Sequence, residues 1–382
     1  MHVDQLCWTE ASGWSGQTAG QSAADLVLYF GAGELLARAE RYDELREMFP
    51  AARILGCSTA GQIVGDDIDD DLIVTLAIRF EATRLRLACE TVTGPEQSQA
   101  CGEAIGRALA ADDLAGVFVL GEGLQVRGDR LIAGIAGAVG PKVPLSGGLA
   151  GDGGTFVTTL VGADCAPRSR LVAAVGFYGD AIRLGHGCAG GWDAFGPRRR
   201  ITRSESNVLF ELDGEPALDL YERYLGEEEA SGLPRSGLMF PLLLRDPARP
   251  DSDVVRAVNA IDREARSMTF AADLPTGWTV QLMRGSFDGL TAAAATAARQ
   301  AALPAGDACG DGLAVLVSCV ARRMVFGQQA QDEIEAAASE LGPRMRCVGF
   351  YSYGEIAPHP TSGISELHHQ TMTITTIAEI TG

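Results

Sequence analysis

A glycine-rich turn after a short apolar strand occurs near both ends of this 382-residue chain. Residues 56–63 read Gly-Cys-Ser-Thr-Ala-Gly-Gln-Ile, and residues 349–356 read Gly-Phe-Tyr-Ser-Tyr-Gly-Glu-Ile. Both turns fit the pattern G-x-x-[S/T]-x-G-[E/Q]-I, and both follow an upstream strand and a helical stretch. A related turn, Gly-Gly-Leu-Ala-Gly-Asp, occupies residues 147–152 after a similar strand and helix. Three strand–helix–strand units that end in such a turn predict an internal duplication.

The predicted fold is α/β, with two related halves whose mixed β-sheets are flanked by helices. Between residues 156 and 212 the pattern changes to short strands, which favours an antiparallel layer rather than further crossovers. A helix that begins at Pro216 follows this layer. We therefore predict a leader at residues 1–23, an N-terminal domain at 24–215 and a C-terminal domain at 216–382.

The net charge of the chain is −19, from 31 basic and 50 acidic residues. This negative charge repels the phosphate backbone of nucleic acid, so nucleic acid is not expected as a partner. A basic protein partner is compatible with the same charge. The N-terminus lacks the segments of a signal peptide, and no apolar run approaches the roughly 20 residues of a membrane span. Nine scattered cysteines without a C-x-x-C pair indicate a reducing compartment, so we expect a cytoplasmic protein.

Glycine turns at strand ends are places where the backbone can approach a ligand closely. The polar and aromatic residues of the three turns are therefore candidate ligand-binding residues: Cys57, Ser58, Asp152, Tyr353 and Glu355. The alternative is that the glycines only satisfy tight turns, and the sequence leaves both interpretations open.

Residues 185–190 match G-x-G-x-x-G, but that motif binds a dinucleotide only where a helix begins at its third glycine. The residues that follow, from Trp192 to Pro197, do not start a helix, so nucleotide binding is not predicted. The motif places His186 in a flexible glycine frame beside Trp192 and Phe195. His186 is therefore either a candidate metal ligand or a solvated histidine in a turn.

The densest positive patch lies at residues 198–203 of an otherwise acidic chain. On a strand, Arg199 and Arg203 share one face. Guanidinium groups there suit carboxylates or the propionates of an anionic ligand. The alternative is ion pairing with Glu205 or Glu211.

A catalytic triad has no support in the sequence. Ser58 and Cys319 lie at predicted strand ends, but no serine of the chain lies in a G-x-S-x-G motif. Nothing in the sequence indicates a lowered thiol pKa. We therefore do not expect an enzyme, and the rival hypothesis is a hydrolase or transferase that uses Ser58 or Cys319 with a histidine.

Five blocks resemble the FIST family, in both its N-domain and its C-domain, from about residue 24 onward. In chain order they are Leu55–Gly61, Gly147–Asp152, Asn207–Tyr221, Phe350–Ile356 and Leu367–Thr375. The resemblance implies a ligand-sensing signal-transduction protein of the stand-alone kind. One subgroup of such proteins resembles haem proteins that sense nitric oxide and restrain a partner histidine kinase. The resemblance is also compatible with a homo-oligomer. The family block usually reads Leu-His-Asn-Gln, and here His369 replaces the asparagine.

Within this sensor hypothesis we expect haem b as the ligand. Haem requires an axial donor, an apolar slot and cations for its propionates. His186 is the first candidate for the iron because Arg199 and Arg203 follow it closely in the chain. His368, in the pair with His369, is the second.

The alternative ligand is an amino acid or a similar small organic molecule. Arg203 would then bind the carboxylate, Glu355 or Asp152 would bind the amine, and the glycine turns would close over the ligand. A scaffold with an empty cleft is a third interpretation.

Overall fold

A computed structural model describes residues 1–16, 23–249, 253–303 and 312–380. The strands within these residues are β1 (His2–Thr9), β2 (Gly13–Gly16), β3 (Leu26–Gly31), β4 (Arg53–Ser58), β5 (Gln62–Val64), β6 (Asp67–Asp69), β7 (Leu72–Arg79), β8 (Arg84–Thr91), β9 (Leu114–Gly121), β10 (Leu145–Leu149), β11 (Val161–Ala163), β12 (Leu171–Tyr178), β13 (Ile182–Ala189), β14 (Trp192–Glu205), β15 (Val208–Leu212), β16 (Glu215–Pro216), β17 (Leu242–Arg245), β18 (Val254–Arg256), β19 (Val258–Asp262), β20 (Ser267–Phe270), β21 (Thr279–Gly285), β22 (Gly312–Cys319), β23 (Met345–Ser352), β24 (Gly354–Pro358), β25 (Ser365–His368) and β26 (Met372–Glu379). The α-helices are α1 (Gly33–Leu36), α2 (Glu40–Met48), α3 (Ser98–Leu109), α4 (Gly128–Val139), α5 (Ala217–Leu225), α6 (Glu227–Ser231), α7 (Phe287–Ala301), α8 (Val320–Phe326) and α9 (Ala330–Leu341). Short 3-10 helices lie at Pro95–Gln97, Arg235–Met239 and Gly327–Gln329.

Three six-stranded sheets repeat one arrangement. Their strand orders are β11-β4-β3-β7-β1-β2 in sheet 1, β25-β24-β10-β9-β12-β8 in sheet 2, and β6-β5-β23-β22-β26-β13 in sheet 3. In each sheet the first strand of a repeat unit (β3, β9 or β22) pairs in parallel with the second (β4, β10 or β23). On its other side that first strand pairs antiparallel with a returning strand (β7, β12 or β26). The predicted mixed α/β fold with a duplicated unit is confirmed, and the unit occurs three times.

Each unit gives the strand after its glycine turn to a neighbouring sheet. From the first unit β5 pairs with β23 in sheet 3, from the second β11 pairs with β4 in sheet 1, and from the third β24 pairs with β10 in sheet 2. The three turns therefore meet at the centre of the molecule. The amide of Tyr351 donates to the Gly61 carbonyl at 2.9 Å, and the amide of Gly151 donates to the Ser58 carbonyl at 2.9 Å.

A glycine occupies the same place in the second strand of each unit: Gly56, Gly147 and Gly349. A Cβ atom at these positions would lie 2.2, 2.0 and 1.8 Å from the carbonyl oxygen of the paired residue in the first strand. Real Cβ atoms do not approach a carbonyl so closely, so the repeated glycine is explained by the close approach of two backbones.

The inner faces of sheets 1, 2 and 3 enclose one apolar core. Leu28, Phe118 and Val315 are core residues from the three sheets, and the rings of Phe30 and Phe350 stack across it at 4.7 Å. Helices cover the outer faces, with α2 on sheet 1, α3 and α4 on sheet 2, and α7 and α9 on sheet 3. Burial of both faces explains why the central strands are almost continuously apolar.

Sheet 4 contains eight antiparallel strands, ordered β18-β17-β21-β14-β15-β20-β19, with β16 paired to β15. Helix α5 packs on it through Leu218, Leu220 and Tyr221. The sequence predicts one antiparallel layer between residues 156 and 212, but only β14 and β15 of that segment lie in sheet 4, whereas β11, β12 and β13 pair into sheets 1, 2 and 3. Strand β14 of sheet 4 carries the arginine patch.

Strands cross the sequence position at which we expected a domain boundary. Sheet 2 contains β24 and β25 from the C-terminal part of the chain, and sheet 3 contains β5, β6 and β13 from the N-terminal part. Residues 2–16, which we expected to belong to a leader, form β1 and β2 at the edge of sheet 1. In the described part of the chain, every helix is too short or too polar to cross a bilayer.

Candidate functional site

A cavity of about 730 Å³ lies where sheets 2, 3 and 4 meet, and we call it the junction cavity. It borders the carboxyl ends of two parallel strand pairs, β9 with β10 and β22 with β23, the edge at which α/β sheets commonly bind ligands. Its volume is typical of a small-molecule site. Most of its wall is apolar and consists of Leu124, Val126, Leu149, Phe156, Leu238, Val258, Phe270, Val320 and Met324.

His369 is the one histidine among the described residues that line the junction cavity. Its side chain is only 2% exposed, and neither ring nitrogen has a hydrogen-bond partner in the described structure. Burial, helped by the charges of Arg256 and His368, lowers the pKa of His369 to about 3, although the nearby Val255 carbonyl acts in the opposite direction. The imidazole is therefore neutral at physiological pH, the form that binds metals.

The charged residues of the cavity wall, within the described structure, are arginines. Arg127 and Arg235 line it, and none of the lining residues is Asp or Glu. Arg127 is ion-paired with Asp129 at 2.8 Å and Asp273 at 2.6 Å. Arg235 is exposed and forms no ion pair with a described residue. In a chain of net charge −19, such a wall favours an anionic ligand.

Arg256 adds positive charge beside His369. Its side chain is buried, its Nε atom has no partner in the described structure, and burial lowers its pKa. The guanidinium donates from Nη1 to the carbonyls of Val255 at 3.1 Å and Leu367 at 3.2 Å. Arg256 is not among the residues that line the cavity, and the charges of Asp129, Glu366 and Asp273 oppose the lowering of its pKa, so it supports the wall from behind.

Tyr353, in the glycine turn at residues 349–354, lines the junction cavity and contacts the turn at residues 147–152. Its hydroxyl donates to the carboxylate of Asp152, and its ring stacks on Phe156 with centroids 4.4 Å apart. Burial, with the nearby Asp152 charge, raises the pKa of Tyr353. Burial alone would raise the pKa of Asp152 as well, but hydrogen bonds from Tyr353 and three backbone amides lower it. Tyr353 is thus held as a neutral donor against an ionised carboxylate.

Glu355 lies behind the cavity wall and is fully buried. One carboxylate oxygen accepts from Ser352 Oγ at 2.8 Å, and the other accepts from the Thr371 amide at 3.1 Å and from Thr371 Oγ1 at 2.9 Å. Burial raises the pKa of Glu355 to about 7, against the lowering effect of these hydrogen bonds. Glu355 is therefore a group that changes charge near neutral pH.

Two candidates from the first glycine turn, Cys57 and Ser58, lie at the meeting point of the turns and are fully buried. Ser58 Oγ donates to the Gly151 carbonyl at 2.7 Å and accepts from the Leu160 amide at 2.9 Å. Burial raises the pKa of the Cys57 thiol well above its usual value. The Ser58 hydroxyl links two turns, whereas Cys57 packs in the apolar core, and neither side chain lines the junction cavity.

The arginine candidates lie on sheet 4 and do not line the junction cavity. Arg199 donates to Asp213 at 3.2 Å and to the Tyr224 hydroxyl at 2.6 Å. Arg203 donates to Glu211 at 2.9 Å and its guanidinium stacks on Phe210. Arg203 therefore forms the ion pair with Glu211 that the sequence offered as the alternative to ligand binding.

The two histidines that we expected as metal ligands do not line the junction cavity either. His186 lies on β13, opposite Thr375 of β26, and burial lowers its pKa to about 4. His368 donates from Nε2 to the Ala357 carbonyl at 3.1 Å, and burial lowers its pKa to about 4. Within the described residues, no group of three or more His, Cys, Asp and Glu side chains could hold a metal ion.

The residues that sequence reasoning missed are Arg127, Arg235, Arg256 and His369. His369 carried a signal, because it stands where the family block usually has asparagine. The three arginines carried none, since each lies in an ordinary polar segment of the sequence.

A second cavity, of about 500 Å³, lies at the equivalent edge of sheet 1. Its wall contains five carboxylates: Glu10, Glu34, Asp70, Asp71 and Asp152. Arg323 pairs with Asp70, and Arg38 pairs with Glu10. The two cavities therefore have opposite polarity, although they lie at equivalent positions of the repeat.

Comparison with known proteins decides the family. The FIST N domain matches residues 25–215, and the FIST C domain matches residues 217–358. This chain belongs to the FIST family. FIST domains are associated with the sensing of small ligands in signal transduction. The FIST C match ends before His369, so the histidine of the junction cavity lies outside the matched residues.

An uncharacterized protein of Methanocaldococcus jannaschii is 26% identical to this FIST protein over 202 residues. The match covers 48% of this chain and 36% of that relative, so the chain spans well under two thirds of the relative's length. Among solved structures, a cyanuric acid hydrolase from A. caulinodans aligns over 100% of this chain and 99% of its own, with 10% identity and a TM-score of 0.37. A TM-score at this level supports no inference about function.

Proposed function

We propose that this FIST protein senses a small anionic ligand, which binds in the junction cavity. The observation that carries the proposal is His369, a buried neutral imidazole that lies near the Val255 carbonyl but forms no hydrogen bond of ordinary geometry in the described structure, facing a cavity of about 730 Å³. A buried polar group without a partner is costly. A ligand that engages the imidazole would remove this cost, and the cavity wall supplies residues from both FIST domains.

Haem b is the ligand that we propose first. His369 would hold the iron, the apolar wall would contact the ring, and Arg235 would pair with a propionate, whereas Arg127 is already paired with Asp129 and Asp273. Bound at this site, haem would supply an iron able to bind a diatomic gas such as nitric oxide. Neutral His369 holds its metal-binding form over the physiological pH range, because its pKa is about 3.

The decisive test is the absorption spectrum of the protein reconstituted with haemin. We expect a Soret band that His369→Ala removes or shifts and that added imidazole restores in the variant. His186→Ala and His368→Ala are matched controls, because each removes a histidine that does not line the junction cavity. A Soret band unchanged in His369→Ala but lost in His186→Ala would contradict the assignment.

Arg235 provides a second test of the same site. It is exposed and without an ion-pair partner among described residues, so Arg235→Glu should leave the fold intact. The reversed charge should weaken haemin binding about tenfold, the effect of roughly 1.4 kcal/mol. Arg203→Glu is the control, because Arg203 pairs with Glu211 outside the cavity. Equal affinities of the two variants would show that the wall does not bind the anionic groups.

A small organic acid is the second candidate ligand. The wall contains arginines and, within the described residues, no carboxylate, so a ligand carboxylate has partners whereas the ammonium group of an amino acid has none. Thermal stabilisation by a panel of carboxylic acids, with the matching amino acids as controls, tests it. Stabilisation by amino acids alone would contradict this ligand class.

For the hydrolase or transferase alternative, the structure brings Cys319 and a histidine, His369, to the wall of one cavity, but neither proposed nucleophile is activated. The Ser58 hydroxyl donates its proton to a backbone carbonyl, which cannot act as a base. Cys319 lines the junction cavity, but burial raises its thiol pKa well above the usual value, so the thiolate is not available as a nucleophile.

From the family resemblance we also propose that the output partner is a histidine kinase, in the cytoplasm. Kinase autophosphorylation should change when haemin-loaded protein is added, and should not change with haemin-treated His369→Ala protein. Equal rates with wild-type and variant protein would contradict the link between the cavity and the kinase.

A further inference from the structure

The loop of residues 153–158 forms part of the rim of the junction cavity. Gly154 and Phe156 line the cavity. The same loop reaches the surface, where Phe156 is 49% exposed and Val157 is 76% exposed. One short segment therefore contacts both the ligand site and the surroundings of the protein.

A single carboxylate holds most of this loop. Asp152 accepts from the amides of Phe156 at 2.8 Å, Val157 at 2.7 Å and Thr158 at 2.8 Å. The hydroxyl of Tyr353, which donates to Asp152, also accepts from the Gly154 amide at 3.1 Å. The loop is thus fastened by two side chains, and one of them is part of the cavity wall.

The loop backbone adopts a conformation that its surroundings must impose. Gly153, Gly154 and Phe156 have φ angles of 71°, 83° and 57°. The left-handed region is ordinary for glycine but uncommon for phenylalanine. Such a residue persists in this region only while neighbouring contacts determine it, here the Asp152 acceptor and the Tyr353 ring stack. Loss of either contact should release the loop.

We propose that residues 153–158 are a ligand-responsive lid of the junction cavity and that Asp152 with Tyr353 is its latch. The proposal rests on the proposed function only in taking the junction cavity as the ligand site. A ligand that packs against Phe156 and Tyr353 holds the latch closed, and opening of the latch admits the ligand. Occupancy of the cavity thereby changes the apolar surface that Phe156 and Val157 present.

The test combines amide hydrogen exchange with the binding kinetics of anilinonaphthalene sulfonate, an apolar anion that does not require the haem assignment. In Asp152→Asn and Tyr353→Phe, exchange of the amides at 156–158 should rise about tenfold, the sign of local opening. The probe should also bind faster to these variants. Asp262→Asn is the matched control, because Asp262 accepts from two amides in another turn, those of Glu264 and Ala265.

The outcomes separate the lid from the ligand assignment. Faster exchange at 156–158 together with faster probe binding supports the lid, even if haemin gives no Soret band and the haem proposal fails. Unchanged exchange in both latch variants would overturn the latch. Faster exchange with a probe-binding rate equal to that of Asp262→Asn would overturn the lid, because the loop would then open without controlling entry.

Discussion

At the scale of single residues, Glu355 makes stability depend on pH. Its pKa is raised from 4.5 to about 7, so folding favours the protonated carboxyl. The stabilisation from this proton is complete below pH 4.5 and is lost as the pH rises through 7. Over that range the loss is about 3 kcal/mol, from 1.36 kcal/mol per pKa unit.

We therefore predict that Glu355→Gln stabilises the protein above pH 7 and not below pH 5. The neutral amide can still accept from Thr371 and donate to Ser352 Oγ, but it has no charge to desolvate. The free energy of unfolding of both proteins should be measured in urea at pH 5 and at pH 8. The advantage of Glu355→Gln over the wild type should be larger at pH 8 by about 3 kcal/mol. His368 and His369 oppose this trend, losing stability as the pH falls below 6.5, but they do so equally in both proteins. A pH-independent difference would show that Glu355 is ionised without cost.

Two adjacent arginines on α8 differ in what their loss should cost. Arg322 is fully buried, donates to Glu333 at 2.6 Å and donates to the Leu290 carbonyl at 2.9 Å. Arg323 is partly exposed and pairs with Asp70, a largely exposed side chain.

Removal of one member of a buried ion pair leaves the other unpaired, so we expect Arg322→Met to destabilise the protein by about 3–5 kcal/mol. Arg323→Met should cost about 1 kcal/mol, because exposed pairs contribute little. Chemical denaturation of both variants measures the difference. Similar costs for the two substitutions would show that Glu333 finds another partner or loses its charge.

At the scale of elements, the repeated glycine fixes the distance between the first two strands of each unit. Gly349→Ala would place a Cβ atom 1.8 Å from the Leu316 carbonyl oxygen, at a site where both strands are buried. We expect a loss of about 3 kcal/mol or more, the upper part of the range for overpacking.

Gly137→Ala is the control for this prediction, since Gly137 lies on α4 with open space around it. Alanine should stabilise this helix by about 0.5–1 kcal/mol. Thermal unfolding of the two variants distinguishes the effects. A mild loss for Gly349→Ala, similar to an ordinary surface change, would contradict the close-approach explanation.

At the scale of the whole molecule, strand exchange between sheets links the two FIST domains. Sheet 3 takes β5, β6 and β13 from the N-terminal part of the chain and β22, β23 and β26 from the C-terminal part. A fragment of residues 1–215 would remove β23 from beside β5 and β26 from beside β13, and would keep only the β5–β6 pairing. We expect this fragment not to fold cooperatively, because unpaired buried strand edges are costly.

The full chain should therefore unfold in one transition. Circular dichroism reports on the secondary structure of the whole molecule. Tryptophan fluorescence reports on the surroundings of tryptophans such as Trp8 on β1 and Trp192 on β14. We expect the two urea curves to coincide, as in a two-state transition. Two separated transitions, or a stable folded 1–215 fragment, would show that the FIST domains are independent units.

The sequence by itself determined the repeat, the α/β class and the family. The glycine turns at 56–61, 147–152 and 349–354 could be recognised in the sequence. Each begins with a glycine where two strand backbones lie too close for a side chain, whatever residues surround it. Apolar strands buried on both faces likewise leave a local record in the sequence. These features depend on residues that are close together in the chain.

Only the tertiary structure decided which side chains face the ligand cavity. His368 is the last residue of β25, whereas His369 lies in the bend that follows, where Gln370 has a φ of 65°, so the end of the strand pairing decides which histidine faces the cavity. The last pair of that strand pairing is Glu355 with His368. The burial of Arg322 beside a partly exposed Arg323, and the meeting of Asp152 with Tyr353, depend in the same way on contacts between distant segments. Such contacts arise when strands from different units pair, and local patterns of polarity do not record that pairing.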